Sequence, residues 1–445
     1  MNSDKKNYLI LIGVFLILGI IFFKPEIKII DGLEYYSFVR SIVIDQDLNN
    51  SNEYLEICSK LFENKITGSS CNPKLRKITQ TGYAENRAMF GAVLFWIPFF
   101  LFGHLISFLF NMSLNGYSNI YFISTMFGTI VFGFLTLILT YKLLAEIFNK
   151  QISIITTLIY FASSSLIYYI FNDPSLNHSI SVFTITSFIY FWFKTIKHRT
   201  RTQWIILGFI GGLMTITRWN NLIFMIIPLL EVINQIFKHK QRKITFRILK
   251  NSFLYMIMSS IIFLLQLIVL KIVHGKIFLD LTRSNNSLMP INFFKILFSD
   301  HGQILWTPII IFSFVGLYFL FKQKRELTTY LLIPGIITLI ALGMFEHYLG
   351  GNSYGIRYLL CLTPILFIGL GKYIELLSKH ISTRNIILIF IPFIIWNILL
   401  LTQSEIHPEI LVTIHELISF KEILLNQLSM PQMFIKMLFT RFGII

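Results

Sequence analysis

The sequence predicts an all-α integral membrane protein with about 11 transmembrane helices. Its 445 residues are 55% apolar and only 13% charged, whereas soluble domains carry about 25% charged residues. Apolar runs of roughly 17–25 residues recur along the chain, and runs of this length fit helices that cross a bilayer. The runs are long and nearly uncharged rather than short and alternating, which excludes an outer-membrane β-barrel.

The hydrophilic breaks between the apolar runs set the predicted topology. Lys and Arg cluster in these breaks, for example in 194–201 and 238–250, as the positive-inside rule expects of cytoplasmic loops. The net charge of +16 therefore reflects topology and does not indicate a nucleic-acid partner. With a cytoplasmic amino terminus, 24–117 becomes the first extracytoplasmic loop and 274–302 a later one. The predicted spans are 7–23, 118–141, 151–170, 178–194, 204–217, 219–237, 250–273, 303–321, 328–345, 357–375 and 384–402.

Two segments need separate interpretation. Residues 91–110 are long enough to cross, but a crossing there would invert every later loop, so charge bias favours a juxtamembrane or re-entrant helix with Pro98 and His104 marking an irregularity. The alternative is a plain span, with 204–237 crossing once rather than twice. Residues 403–445 combine helical apolar spacing with charges, which predicts an amphipathic segment at the outer membrane face after a transmembrane domain formed by 1–402.

Asp31 is the candidate catalytic residue. It follows the first span directly, in IKIIDGLEYYSFVRSIVIDQDL, in a chain with 22 acidic against 38 basic residues. A carboxylate at a membrane surface is partly desolvated, which strengthens it as a general base. Asp31 is also suited to cap a helix from its first turn, and this structural role is compatible with catalysis.

Polar residues of the other predicted outer turns are the candidate substrate ligands. Arg218 and Arg357 are the phosphate candidates because a guanidinium fork matches phosphate oxygens, although either side chain could instead reach lipid headgroups or pair with a loop acid. His178 and His301 could contact phosphate or the acceptor, or could be structural hydrogen-bonded histidines. The predicted substrate-binding residues are Glu34, Tyr35, Arg40, Asn86, Arg87, His178, Arg218, Asn220, His301, Tyr354 and Arg357.

No metal site or disulfide is assigned from the sequence. Asp45 and Asp47, with Glu34, could coordinate a divalent cation, but two acids at this spacing are common in solvated loops. A cation therefore stays an open alternative and not an assigned cofactor. Cys58 and Cys71 share the first extracytoplasmic loop, where an oxidising compartment would permit a bridge that spacing alone does not establish.

The chain resembles the GT-C superfamily of membrane glycosyltransferases, and is similar within it to bacterial relatives of the dolichyl-phosphate-mannose protein mannosyltransferase and aminoarabinose transferase group. The resemblance implies a GT-C-like multi-pass bundle, juxtamembrane helices in the first loop, and inverting transfer from a polyprenyl-phosphate-linked sugar at the extracytoplasmic face. It implies that Asp31 is the catalytic aspartate. Relatives with a paired acid carry Asp-Glu at this point, whereas here Gly32 follows Asp31 and the next acid is Glu34. The acceptor does not carry over. The motifs are DGLEYYSFVRSIVIDQDL, TGYAENRAMFGAVLFWIPFFLFGH, NDPSLNHS, TRWNN, LFSDHGQILWTP and GGNSYGIRYLLCLTP.

Two other function classes stay open beside a glycosyltransferase of a bacterial or archaeal cell membrane. A flippase or transporter would place ionisable residues near the bilayer midplane and show two related halves. Here the polar groups follow one predicted face, and no halves match. A polymerase or ligase acting on lipid-linked glycans would share the fold and differ in the reaction.

Overall fold

The chain folds into helices, as its long apolar runs predict. Among the described residues, the single β pairing is an isolated antiparallel bridge between Ile78 and Ala84. The computed structural model describes residues 3–28, 31–61, 77–238, 242–277, 293–344, 351, 353–411 and 420–443. The α-helices of these residues are α1 (Ser3–Phe22), α2 (Asp31–Arg40), α3 (Ser51–Leu61), α4 (Phe90–Leu109), α5 (Asn119–Ile147), α6 (Lys150–Ala162), α7 (His178–Thr195), α8 (Arg201–Thr217), α9 (Ile226–Lys238), α10 (Arg242–His274), α11 (Phe293–Phe298), α12 (Gln303–Trp306), α13 (Ile310–Gln323), α14 (Arg325–Gly343), α15 (Thr363–Leu377), α16 (Thr383–Ile406), α17 (Phe420–Gln427) and α18 (Met430–Arg441).

Polar caps begin three helices that follow hydrophilic breaks. The side chain of Asn149 accepts a hydrogen bond from Ile152 N at 2.9 Å and starts α6. Thr200 and Gln203 form a reciprocal capping box at α8, and Ser382 caps α16. These side chains satisfy backbone amides that the first helical turn leaves without a partner.

Eight helices of the described residues are long and apolar enough to cross a membrane, and the count rises to nine if Phe294–Trp306 and Ile310–Gln323, bent by 101°, form one span. The predicted spans 151–170, 178–194 and 204–217 correspond to α6, α7 and α8. Of these, α6 and α8 have only 13 and 17 residues, and α7 carries His, Ser and Thr side chains. The multi-pass helical membrane protein is therefore confirmed, and 11 is an approximate count.

Helix α4 covers the segment that the charge bias predicts not to cross. It is one continuous helix of 20 residues with Pro98 inside it, and an irregularity at Pro98 and His104 stays a prediction. His104 shares a 2.8 Å hydrogen bond with the Tyr121 hydroxyl. A juxtamembrane position stays a prediction. The length and composition of α4 also fit a membrane crossing, so the alternative of a plain span stays a prediction as well.

The chain divides into two compact units. The first unit comprises Met1–Phe23, Thr136–Tyr168 and Ser284–Ile445, and the second unit comprises Lys24–Leu135 and Tyr169–Arg283. The predicted first loop thus falls in the second unit, together with α7 to α10.

Glycines allow the closest helix packing in the second unit. A Cβ atom on Gly208 of α8 would lie 2.5 Å from the carbonyl oxygen of Tyr255 in α10, and one on Gly91 of α4 would lie 2.5 Å from the backbone of Ile216 in α8. Small residues at such positions let helix backbones approach each other. Helix α8 therefore packs closely against both α4 and α10. This packing fixes the position of Arg218, the residue that follows α8.

In the first unit, α13 and α15 pack backbone to backbone, and the carboxyl-terminal helices pack on α16. A Cβ on Gly316 of α13 would overlap the carbonyl oxygen of Gly369 in α15. In the predicted amphipathic tail, Gln427 of α17 donates to Gln403 of α16, and Arg441 of α18 donates to the Phe23 carbonyl. The tail is helical where it is described, and its position at the outer membrane face stays a prediction.

Candidate functional site

The amino terminus of α2 packs against the segment that leads into α7. Asp31 is the first residue of α2 and is partly exposed. A Cβ on Gly32 would come within 2.8 Å of the Ser175 Cβ, so a larger residue after Asp31 would push α2 away from this segment. Ser175 Oγ accepts from Lys28 N at 2.9 Å and donates to Asp173 Oδ1 at 3.2 Å. Residues 173–178, the α7 entry segment, therefore hold Lys28 and the first turn of α2, where Asp31 lies.

The same segment holds Arg218. Arg218 follows α8 in an extended conformation and is partly exposed. Its Nη1 lies 3.2 Å from Asn177 Oδ1 and 2.6 Å from His178 Nδ1. Asn177 in turn donates to the Thr217 carbonyl at 2.7 Å, and Tyr169 packs on the His178 ring at 4.6 Å. The structure thus brings together two predicted site residues, His178 and Arg218, on the segment that supports Asp31.

Asn221 fixes the turn after Arg218, a role that sequence reasoning missed. It is buried, donates to the Met214 carbonyl at 3.0 Å and hydrogen-bonds Ser181 of α7. The predicted ligand Asn220 is its partly exposed neighbour in a 3-10 turn. The TRWNN motif supplied both asparagines, but only the contacts separate the structural residue from the candidate ligand.

A second group of predicted residues gathers at Glu34, one turn along α2. Arg87 N lies 3.2 Å from Glu34 Oε2, and Asn86 donates to the Glu34 carbonyl at 2.9 Å. Asn86 also donates to Asn50 at 2.7 Å, and His274 contacts its carbonyl at 2.8 Å. The TGYAENRAM motif therefore reaches the same face of α2 as Glu34. Buried Asn86 is mainly structural in this arrangement.

Two other predicted ligands differ in exposure. The Arg87 side chain is 61% exposed and pairs with Glu85 at 2.9 Å, so it can still reach an acceptor. Tyr35 is buried, and its ring packs edge-on against Trp96 at 5.7 Å. Its geometry is that of a core residue, and its predicted substrate contact has no geometric support.

Arg40 is the centre of a buried ion-pair cluster. Its Nη1 lies 2.5 Å from Asp45 and 2.6 Å from Glu53, and its Nε donates to the Asn115 carbonyl at 2.8 Å. The guanidinium carbon lies 4.1 Å above the centre of the Tyr117 ring. The cluster ties α2 to α3 and to the turn before α5. These contacts are internal to the first loop, so the predicted substrate role of Arg40 has no geometric counterpart.

The pKa values of the two acids in this cluster, Glu53 and Asp45, are shifted in opposite directions. Burial raises the pKa of Glu53 to about 7, against the lowering effect of Arg40. Burial also opposes ionisation of Asp45, but hydrogen bonds from Asn52 and Arg40, together with the Arg40 charge, hold the pKa of Asp45 below its ordinary value. Asp45 therefore carries the charge that balances Arg40 at neutral pH, with Glu53 near its titration point.

Asp45 and Asp47, the two acids considered as cation ligands, interact with other residues of the first loop. Asp47 accepts from Ser41 Oγ at 2.5 Å and from Asn49 N at 3.0 Å, while Asp45 faces Arg40. No three His, Cys, Asp or Glu side chains of the described residues come together as a metal site requires.

In the first unit, two predicted residues belong to an aromatic stack. His301 is buried, lies 2.8 Å from the Ile410 carbonyl and stacks on Trp306 at 5.7 Å. Trp306 meets Tyr354 edge-on at 4.8 Å, and Tyr354 stacks on Tyr168 at 4.8 Å. The SDHGQILWTP and SYGIRY segments meet here, and their rings fix the turn that precedes Arg357.

Arg357 begins a 3-10 turn and is partly exposed, 5.6 Å from the Tyr358 ring. Like His301 and Tyr354, it belongs to the first unit, whereas Asp31, His178 and Arg218 belong to the second. Of the two cysteines considered for a disulfide, Cys71 and the side chain of Cys58 lie outside the described residues.

Solved structures share this architecture. ArnT from Cupriavidus metallidurans superposes with a TM-score of 0.51 in its apo state, at 11% identity over 91% of this chain and 64% of that chain. Its undecaprenyl phosphate-bound form gives 0.52 at 12% identity, over 90% and 65%. The apo oligosaccharyltransferase of Archaeoglobus fulgidus gives 0.50 at 13% identity, over 91% and 54%. The chain has the GT-C fold. It spans less than two thirds of the length of these three proteins.

The family comparison agrees with the GT-C fold. Residues 101–270 match the family model described as dolichyl-phosphate-mannose-protein mannosyltransferase. No curated protein sequence matches the chain. The resemblance to GT-C membrane glycosyltransferases is therefore confirmed, and the matched region contains both the α7 entry segment and Arg218.

Proposed function

We propose that this chain is an inverting glycosyltransferase that moves a hexosyl or pentosyl group from a polyprenyl-phosphate-linked donor to an acceptor hydroxyl or amine. The GT-C fold and the family match to 101–270 support glycosyl transfer in general. The structural neighbour ArnT binds undecaprenyl phosphate, which supports a lipid-linked donor for this chain.

The packing of α2 on the α7 entry segment carries the site assignment. Asp31 opens α2 one residue before the Gly32 contact with Ser175, and Arg218 is held by Asn177 and His178 of the same segment. One short segment thus positions a partly exposed carboxylate and a partly exposed guanidinium. A single displacement at a sugar phosphate requires a general base and a phosphate-binding residue held near each other. The α7 entry segment positions both.

The proposed reaction has one step. Asp31 accepts the proton of the acceptor O–H or N–H group, and the acceptor atom forms a bond to the anomeric carbon from the face opposite the phosphate. The bond between that carbon and the phosphate oxygen breaks, and the polyprenyl phosphate leaves with the bonding electrons. Arg218 stabilises the charge that develops on the phosphate. Inversion at the anomeric carbon follows from the single displacement.

The proposed site faces the extracytoplasmic side of a cell membrane. Lys and Arg concentrate in the breaks that follow α7, α9, α13 and α15, and Lys142 of α5 and Lys150 of α6 flank the break between those two helices. This pattern favours a cytoplasmic position for these breaks and for the amino terminus. Asp31 follows the first apolar helix directly, and would therefore lie on the opposite side.

Asp31→Asn tests the proposal. The full chain, purified in detergent, would be assayed with a panel of polyprenyl-phosphate sugars and acceptors. We expect the variant to transfer sugar at least about 100-fold more slowly, which is the contribution of a positioned general base. Glu26→Gln removes an exposed acid five residues earlier and should keep the wild-type rate.

Two results would contradict the proposal. Wild-type transfer by Asp31→Asn would remove Asp31 as the base and leave the glycosyltransferase class standing. Movement of lipid-linked sugar across vesicle membranes without any transfer to an acceptor would instead assign the chain to the flippase class.

A further inference from the structure

The second unit contains a basic pocket. The pocket is formed by other helices than α2, which carries Asp31. The pocket has a volume of about 710 Å³ and is lined by the turn between α7 and α8, by α9 and by the first half of α10. Its rim carries the exposed cations Lys197, Arg201, Arg247 and Lys250. These are residues of two basic breaks that are separated by about fifty positions in the chain, and the fold brings them to one cavity.

The floor of the basic pocket is an ion pair that is already satisfied. Arg199 and Glu231 have side chains only 2% exposed, and Arg199 Nη1 lies 3.0 Å from Glu231 Oε2. Arg199 also donates to the Trp192 carbonyl at 3.0 Å and lies over the Trp204 ring at 4.3 Å. Trp192 Nε1 donates to Glu231 at 2.8 Å. The floor therefore contributes no net charge, because its one acid is matched by its one buried base.

The rim is left with an excess positive charge. Among the described residues that line the pocket, Glu231 is the single acid, and it is engaged by Arg199. The positive-inside rule explains why these breaks are basic, but not why four cations converge on one cavity. Their mutual repulsion is relieved by a bound anion, and guanidinium and ammonium groups together suit a phosphate.

The surface beside the rim identifies the kind of anion. Phe246, Leu249 and Phe253 of α10 are 69%, 48% and 63% exposed and follow one another at helical spacing. Arg247 and Lys250 lie between them in the sequence. A cationic pocket at the edge of an exposed apolar helix face matches a ligand with an anionic head and apolar chains, and basic pockets between transmembrane helices bind phospholipid headgroups.

We propose that the basic pocket binds the phosphate group of an anionic membrane lipid, with the acyl chains along the apolar face of α10. The site is separate from the proposed sugar transfer and does not depend on it. The Arg199–Glu231 pair fixes the turn between α7 and α8, so that Lys197 and Arg201 face the cations of α10 across the cavity.

Native mass spectrometry of the full chain in detergent tests the site. The probes are short-chain phosphatidic acid, phosphatidylcholine of the same chain length, and inorganic phosphate. We expect phosphatidic acid to bind and phosphatidylcholine to bind far less. The triple variant Arg201→Gln, Arg247→Gln and Lys250→Gln should lose affinity for phosphatidic acid on the order of 100-fold, since each charge contributes roughly fivefold.

A matched variant separates the pocket from general surface charge. Lys324→Gln, Lys379→Gln and Arg384→Gln remove three exposed cations from two other basic breaks and should leave binding unchanged. Equal losses in both triple variants, or equal binding of phosphatidylcholine, would overturn the proposal. Binding of inorganic phosphate as tight as that of phosphatidic acid would also overturn it and assign the pocket to a soluble phosphate compound. If the pocket triple variant does not fold, Arg247→Gln and Lys250→Gln are measured singly, each with an expected fivefold loss.

Discussion

Nη1 of Arg218 lies 2.6 Å from Nδ1 of His178. A guanidinium donates hydrogen bonds and accepts none, so His178 is the acceptor in this pair. The arrangement orients Arg218 at the extended residue that follows α8. In the proposed reaction, His178 is therefore a positioning residue and Arg218 the group that meets the phosphate.

Substitution of Arg218 tests the phosphate role. Arg218→Lys keeps the charge but loses the planar fork, and Arg218→Gln loses both. We expect kcat/KM for sugar transfer to fall by about 100-fold in the lysine variant and further in the glutamine variant, which is the scale of losing one charge-stabilising donor. The measurement is initial-rate kinetics with a polyprenyl-phosphate sugar.

The stability of the variants distinguishes this role from a structural one. Arg384→Gln, in an exposed basic break, serves as the charge control and should keep wild-type kinetics. If Arg218→Lys matched the wild type in kcat/KM while lowering Tm, Arg218 would be a structural residue and the phosphate would be bound elsewhere.

The Arg40 cluster predicts a pH-dependent stability. Burial raises the pKa of Glu53 from the ordinary 4.5 to about 7, so the folded state favours the protonated carboxyl. This contribution is fully present below pH 4.5 and is lost as the pH rises through 7. Glu53→Gln cannot ionise, so wild-type Tm minus variant Tm should fall between pH 5 and pH 8 and level off above.

Ionisation of Asp45 does not contribute to the Tm difference between pH 5 and pH 8. Its pKa is held below the ordinary 3.8, so its contribution is present above that value and is lost only in more acidic solution. Thermal unfolding in detergent across pH 5 to 8 therefore isolates Glu53. Parallel wild-type and Glu53→Gln curves over that range would mean that Glu53 ionises normally in the folded chain.

The sequence predicted the helices better than their ends. Each of the eleven predicted spans overlaps helix in the structure, because a long apolar run in a bilayer has no other way to satisfy its backbone. The run 303–321 is divided between α12 and α13, at the point where the chain bends by 101°. The run 151–170 was nevertheless too long. Helix α6 ends at Ala162, where three serines follow, and the chain continues as a separate π-helical turn from Tyr168. Hydropathy averages over such a break, so it counted a full span.

The sequence predicted only part of the site, because local sequence patterns do not reveal contacts between residues that are far apart in the chain. Gly32 stood out as a departure from the family's paired acid, and the structure gives its reason in the contact with Ser175. Ser175 itself had no signal beyond its turn-forming neighbours in NDPSLNHS. Arg40 was assigned to substrate for its charge, although its partner Glu53 is thirteen residues further along. Only the fold shows that this pair is buried.

Glycine packing in the first unit gives the last prediction. A Cβ on Gly316 would overlap the Gly369 carbonyl oxygen, whereas a Cβ on Gly335 would approach its neighbours, side-chain atoms of Leu362 and Ile365, no closer than 3.8 Å. Gly316→Ala should therefore separate α13 from α15 and cost about 1–3 kcal/mol in unfolding free energy, as overpacking does.

Gly335→Ala is the matched control on α14. Its methyl group meets ordinary contacts, and alanine favours the helix by up to about 1 kcal/mol, so its Tm should equal or exceed that of the wild type. Thermal unfolding of both variants in one detergent separates the two effects. A Gly316→Ala Tm equal to that of Gly335→Ala would mean that α13 and α15 do not pack backbone to backbone.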